Sequence, residues 1–225
     1  MQVSTIINDV AKELGDPTMV TWNRPTLIGL LNQAVKQVVL VRPDAYSSTE
    51  NITLVAGTRQ SLPTGALRLL NVTRNMGADG LTAGKVIKYV SQDTLDAFDP
   101  DWHTNTAKAV ITGYVYDDSN PDVIYVNPPS DATTQIEVVV SRIPAELDPD
   151  MDDTDFNDSA TVVGLKDIYV NPIMEWMFYK TFSFEASSAA SIQAANTHMT
   201  SFYNALGVKT KTDSATSPAA NNAGT

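Results

Sequence analysis

The stretch Leu165–Phe184, LKDIYVNPIMEWMFYKTFSF, decides the fold. Leu165, Ile168, Tyr169, Ile173, Trp176, Met177, Lys180 and Phe184 recur at helical spacing. Apolar residues occupy more than one side of that helix, so it is expected to sit centrally. Pro172 falls inside the pattern and either kinks the helix or marks its start. Behind it, Ala189, Ile192, Asn196, Met199, Tyr203 and Leu206 form a narrower stripe, with Gly207 as the expected C-cap. From Val208 to Thr225 the chain is rich in Thr, Ser, Ala and Asn and has no stripe, which predicts a disordered tail.

The other end of the chain is also helical by pattern. Val3, Ile6, Ile7, Val10 and Leu14 make an amphipathic stripe that Gly15 ends. After a short loop, Asn23 or Arg24 opens a second helix, with Pro25 where the first turn tolerates it. Leu27, Leu30, Leu31, Ala34, Val38 and Val41 form its stripe, and Pro43 closes it.

Between these helix pairs the period changes from that of a helix to that of a strand. Ile52 with Leu54, Arg59–Leu62, Leu67–Val72, Lys85–Val90, Ala109–Tyr116, Val123–Val126 and Ile136–Ser141 read as short strands separated by Gly, Pro, Asn or Asp. Asp117–Tyr125 reads as a hairpin, and Ser91 with Thr94–Phe98 as one short helix. The expected class is therefore α+β. Residues 1–43 and 160–207 would form a helical bundle, 44–159 an inserted antiparallel β domain, and 208–225 a flexible C-terminal tail.

Composition narrows the function. No apolar run approaches the ~20 residues of a membrane span, the first residues lack the pattern of a secretory signal, and the absence of cysteine excludes disulfides and thiolate metal sites. The formal net charge is −11, and its origin is local. Ser91–Asp101 and Glu146–Asp158 together carry eleven acids and no Lys or Arg, and the rest of the chain is balanced. Such a surface repels a phosphate backbone, because nucleic-acid affinity comes from cations that displace counterions. Direct DNA binding is disfavoured, whereas a conduit that must not adhere to DNA is compatible with this charge.

The chemistry-bearing residues fall into three sets. Asp148, Asp150 and Asp152 match the first ligands of a calcium loop, but Asp153 stands where Gly is needed and Ser159 where Glu is needed. A solvated acidic loop is the better reading. Asp96, Asp99, Asp101 and His103 surround Trp102; Asp99 and Asp101 could flank a sugar as acid and base, with His103 beside them. A turn at Asp99-Pro100-Asp101, anchored by Trp102, explains them more simply. The aromatics of residues 176–184 suit a core or a subunit interface better than a ligand pocket. No cofactor site is indicated, and no nucleophile elbow occurs.

Several stretches together resemble the head-to-tail adaptor (connector) proteins of short-tailed bacteriophages, the group that includes tail tubular protein A. They are Thr21-Trp22 with Leu30-Leu31-Asn32; Val41-Arg42-Pro43-Asp44-Ala45; Leu54-Val55-Ala56-Gly57-Thr58 with Leu62-Pro63; and Arg68-Leu69-Leu70-Asn71-Val72. Arg74-Asn75-Met76-Gly77, Asp101-Trp102-His103, Tyr125-Val126-Asn127-Pro128-Pro129, Asp167-Ile168-Tyr169 and Asn204-Ala205-Leu206-Gly207-Val208-Lys209 complete the set. The likeness covers most of residues 3–209. Pro25-Thr26 departs from the acidic helix start expected there, and the Asp150–Asp158 loop is unusually acidic.

The resemblance implies a non-enzymatic virion protein, made in the host cytoplasm, that forms a ring of twelve copies beneath the portal. It implies three kinds of partner: the portal protein, a downstream nozzle-type tail protein, and other copies of the chain. Viral DNA would pass through without specific binding. Tail composition and apolar surplus then locate the contacts: Val208, Lys209, Thr210, Lys211 and Thr212 on the portal, and Trp176, Met177, Tyr179, Phe182 and Phe184 between subunits. The rival readings are another virion part (tail completion or decoration), a cell-wall polysaccharide hydrolase using Asp99, Asp101 and His103, and a calcium-binding module.

Overall fold

The computed structural model describes residues 1–185 and 188–216, excepting the side chains of 208–216. In chain order the elements are α1 (Val3–Glu13), α2 (Arg24–Val41), β1 (Ser47–Thr53), β2 (Gly57–Ser61), β3 (Arg68–Met76), β4 (Ala83–Val86), β5 (Lys88–Tyr89), α3 (Gln92–Phe98), β6 (Gly113–Tyr116), β7 (Val123–Ser130), β8 (Gln135–Ser141), α4 (Asp153–Asn157), α5 (Val170–Phe184) and α6 (Ala189–Thr216). They divide into two compact units. One comprises Met1–Ala45 and the chain from Pro144 onward; the other is Tyr46–Ile143.

In the helical unit, α1 buries Val3, Ile6, Ile7, Val10 and Ala11. Gly15 stops it at φ 73°, a backbone conformation that costs glycine little. The Asp16 carboxylate then accepts the amides of Val20, Thr21 and Trp22 at 2.8–2.9 Å. Those bonds, that from Trp22 foremost, hold its pKa below the ordinary carboxylate value. Asn23 caps α2 by accepting from the Thr26 amide at 2.9 Å. Along α2, the residues Leu27, Ile28, Leu30, Leu31, Ala34, Val35, Val38 and Val39 are buried.

A single 3-10 turn at Asp167–Tyr169 leads into α5. Pro172 therefore lies in the first turn of α5, where a missing N–H leaves no bond broken. The helix packs against α6, α2 and α1, in keeping with its expected central place. Its buried residues are Pro172, Ile173, Met177, Phe178 and Thr181.

The structure corrects the C-terminal expectation. Gly207 does not cap the last helix: α6 continues through it to Thr216, two residues before Pro218. No proline interrupts the chain before that point, and the residue preceding a proline disfavours helix. The expected tail of 208–225 is thus helical in backbone as far as Thr216, and residues 217–225 lie outside the described residues. The buried stripe of α6 is also rotated from expectation. Ala195, Phe202 and Leu206 face the core, while Ile192, Met199 and Tyr203 remain outside.

The second unit consists of two four-stranded sheets, ordered β1-β8-β3-β4 and β2-β7-β6-β5. All pairings are antiparallel except β5 with β6. Side chains from both sheets enclose one core that includes Leu69, Val72, Tyr114, Ile124, Val126 and Ile136. Alternation makes this possible. In β8, Ile136, Val138 and Val140 point inward, while the residues between them are less buried. Asn75 is buried among them and fully bonded: its amide donates to the carbonyls of Lys85 and Ile111 (2.9 and 2.8 Å), and its Oδ1 accepts the Ile111 amide at 2.8 Å. Arg142 clamps Glu50 with two bonds of 2.7 and 2.8 Å.

The acid-rich segment belongs with the helices rather than the strands. Asn32, Lys36 and Arg24 on α2 engage Leu147, Glu146 and Asp153 in turn.

Candidate functional site

The residues singled out from the sequence are separated by the fold into three places. On α5, Met177 is fully buried, Trp176, Tyr179 and Phe182 are half-buried, and Phe184 is 65% exposed. Lys180 lies over the rings of Trp176 and Phe184 at 5.4 and 5.6 Å, and Trp22 approaches Phe184 at 6.1 Å between centroids. Phe182 stacks nearly parallel on His198 of α6 at 5.5 Å, and His198 Nδ1 lies 2.8 Å from a Glu175 oxygen. These aromatics therefore do two jobs: Met177 and Phe178 fill the core, and the others line the seam with α6 and the surface beside it. The pairing of Glu175 with His198 was not legible in the sequence, because 23 residues and a helix reversal separate them.

On α6, Val208, Lys209, Thr210, Lys211 and Thr212 continue the helix, and their side chains lie outside the described residues.

The acids of the run are exposed, as expected of a solvated segment, but part of the run is helical rather than loop, as α4. Asp152 caps α4, accepting the amides of Thr154 and Asp155 at 2.8 and 2.9 Å. Asp148 accepts the Asp150 amide at 3.0 Å. Phe156 is buried beneath α4, with the Arg24 guanidinium 5.0 Å from its ring. Among the described residues no group of three His, Asp or Glu is placed to hold a metal.

The set around Trp102 lies in the strand unit. Trp102 is buried, its Nε1 donates to Asp96 at 2.9 Å, and its ring stacks on His103 at 3.7 Å. His103 Nδ1 pairs with the Thr58 hydroxyl at 2.8 Å, and Asp99 accepts from Asn105. Each of these groups is engaged in fixing the Asp99–Asn105 turn, as the simpler reading expected. The described partner of His103 Nδ1 is thus a hydroxyl rather than the carboxylate of a Ser-His-Asp relay.

Exposed apolar side chains occur on both units, Leu81 and Phe98 on one and Leu40 and Phe184 on the other, a composition suited to protein contact. A family model described as SU10 adaptor protein matches residues 1–222. The chain belongs to the SU10 adaptor protein family. Its match runs through both compact units, so the strands are as much part of the adaptor as the helices. The family is one of structural phage proteins, which makes this adaptor a virion component of the head-to-tail kind that the quoted motifs resemble. No curated protein matches the chain. Among the described residues no helix is long and apolar enough to cross a membrane.

Proposed function

We propose that this adaptor forms a closed ring beneath the portal of a short-tailed phage, continues the DNA channel, and presents a platform on which the next tail protein docks. The observation that carries the reading is the adaptor-family match across residues 1–222. The helices, gathered as a bundle from both ends of the chain, would supply the ring body, and the inserted strand unit the docking surface. Copies meeting through two different patches close into a ring when the rotation between neighbours is right; twelve copies is the proposed number. With a net charge of −11, a lumen lined by this chain repels DNA and leaves it mobile.

The portal contact is proposed at Val208–Thr212 and the residues beyond. Trp176, Tyr179, Phe182 and above all Phe184 are the α5 share of the subunit contact; Met177 is already engaged in the core.

Co-sedimentation with purified cognate portal rings tests the reading. The chain should travel with the portal at both low and moderate salt. A chain left at the top of the gradient in both would direct attention to tail-completion or decoration roles.

A further inference from the structure

We infer that the free edge of β1 receives an extended segment of the docked tail protein as an added strand of its sheet; this rests on the docking-platform reading above. β1 ends its sheet and pairs with β8 alone. The two match residue for residue from Ser47↔Ser141 to Thr53↔Gln135 with no register shift. Just outside that span, the Arg142 amide donates to the Tyr46 carbonyl at 3.0 Å and the Leu54 amide to the Thr134 carbonyl at 2.9 Å. Those bonds set the phase, because hydrogen-bonded and non-bonded pairs alternate along an antiparallel ladder. Ser48, Glu50 and Ile52 therefore bond to β8, and the N–H and C=O groups of Ser47, Thr49, Asn51 and Thr53 point the other way. Among the described residues none of those groups has a hydrogen-bond partner, and all four residues are exposed. The β3–β4 turn reaches β1 through a side chain, Asn51 Nδ2 on the Gly80 carbonyl, and leaves the main-chain groups unengaged.

The other sheet edges are guarded. β2 is bulged and carries exposed Arg59. β4 has four residues, lies opposite a register shift and carries Lys85. β5 has two residues and begins with Lys88. Shortness, bulges and charged side chains, Lys above all, are what blunt an edge against strand addition. β1 has seven residues with no Pro, Lys or bulge. Its one charge, Glu50, sits opposite Val138 on the inward face, where Arg142 already neutralises it. Glu137, opposite Asn51 on β8, is likewise engaged by Thr73 and Arg74.

This chemistry specifies the occupant. A row of alternating N–H and C=O groups recognises main chain in the extended conformation. A second copy does not fit: a head-to-tail ring joins two different patches, whereas β1 is the unguarded edge, and β1 on β1 is a two-fold pair that stops at a dimer. The strand therefore comes from another protein, and with the portal assigned to the end of α6 the tail protein remains. The side chains beside the edge are Ser, Thr and Asn, so the fitting segment is uncharged and rich in Ser, Thr and β-branched residues.

The test uses full chain assembled on cognate portal rings and tail protein purified from the same virion. Thr49→Pro removes an outward N–H and no bond to β8, a position at which an edge strand tolerates proline. It should keep the portal ring and a melting temperature near the starting value, while tail-protein affinity falls by about tenfold or more, as expected where main-chain bonds carry the affinity. Thr49→Val, which keeps the N–H, should bind as the unaltered chain does. Deuterium exchange needs no variant: on tail-protein binding, amides in the peptide 46–54 should slow by about tenfold or more. Unslowed exchange there, undiminished binding by folded Thr49→Pro, loss of the portal ring instead, or a dimer of the free chain that Thr49→Pro dissolves would each overturn the β1 assignment and leave the docking reading standing. Unaltered adaptor rings that take up no tail protein would overturn the docking reading itself.

Discussion

Asn32 holds both backbone groups of Leu147: its Nδ2 donates to the Leu147 carbonyl at 2.8 Å, and its Oδ1 accepts the Leu147 amide at 2.9 Å. One side chain on α2 thereby fixes the chain where it re-enters the helices after the strand unit. Only a side-chain amide offers a donor and an acceptor at this spacing. Asn32→Ala should lower stability by about 1–3 kcal/mol, the effect of leaving partly buried backbone groups without partners. Asn32→Asp should recover less than half of that loss at neutral pH, because a carboxylate can accept but cannot donate. Urea unfolding of the two variants measures both.

Trp102 separates structure from chemistry in the strand unit. Trp102→Ala removes a buried ring and is expected to lower stability by about 3–5 kcal/mol. Asp99→Ala and Asp101→Ala should leave the fold nearly unchanged and abolish no hydrolytic activity on cell-wall material, since none is expected. Hydrolysis that vanished in those variants would reinstate the hydrolase reading.

The strand unit should weaken in acid for identifiable reasons. Arg142 hydrogen-bonds Glu50 and holds its carboxyl below the ordinary 4.5. The Thr82 backbone amide, followed by the Thr82 hydroxyl, holds Asp79 down at about 2. Both groups have depressed folded values, so their contribution is complete above the unfolded values and is lost as pH falls through the folded ones. For Asp79 the window runs from 3.8 down to about 2. Thermal melts across that range should show a fall in stability that Asp79→Asn and Glu50→Gln each flatten.

Removing residues 210–225 should disturb binding and spare the fold. Leu206, the last α6 side chain described as buried, lies outside the deleted segment. The expected result is a melting temperature within a few degrees of the full chain and at least a tenfold loss of portal affinity. Unchanged affinity would move the portal contact elsewhere.

The layout of helices around strands was legible because each class writes a different period: Val3–Val10 and Leu27–Val38 repeat by turns, and Ile136–Val140 alternates. The face of α6 was not legible. Ile192, Met199 and Tyr203 are as apolar as Ala195, Phe202 and Leu206, and pattern alone cannot say which line meets α5 and which is left over. The end of α6 was misjudged because Gly207 reads as a cap, yet glycine stops a helix only where the backbone turns left-handed, and here it does not. Acidic composition concealed α4, whose start depends on one carboxylate, Asp152, caught by two amides. Of the candidate site, the aromatic helix was visible in sequence, but the way Phe182 and Glu175 engage His198 depends on tertiary pairing.

Electron microscopy of the purified chain mixed with its cognate portal ring tests the central claim most directly. A second ring stacked on the portal, sharing its rotational symmetry and with the helices in the ring wall, is the predicted result. Portal rings that remain bare at low and moderate salt would contradict it.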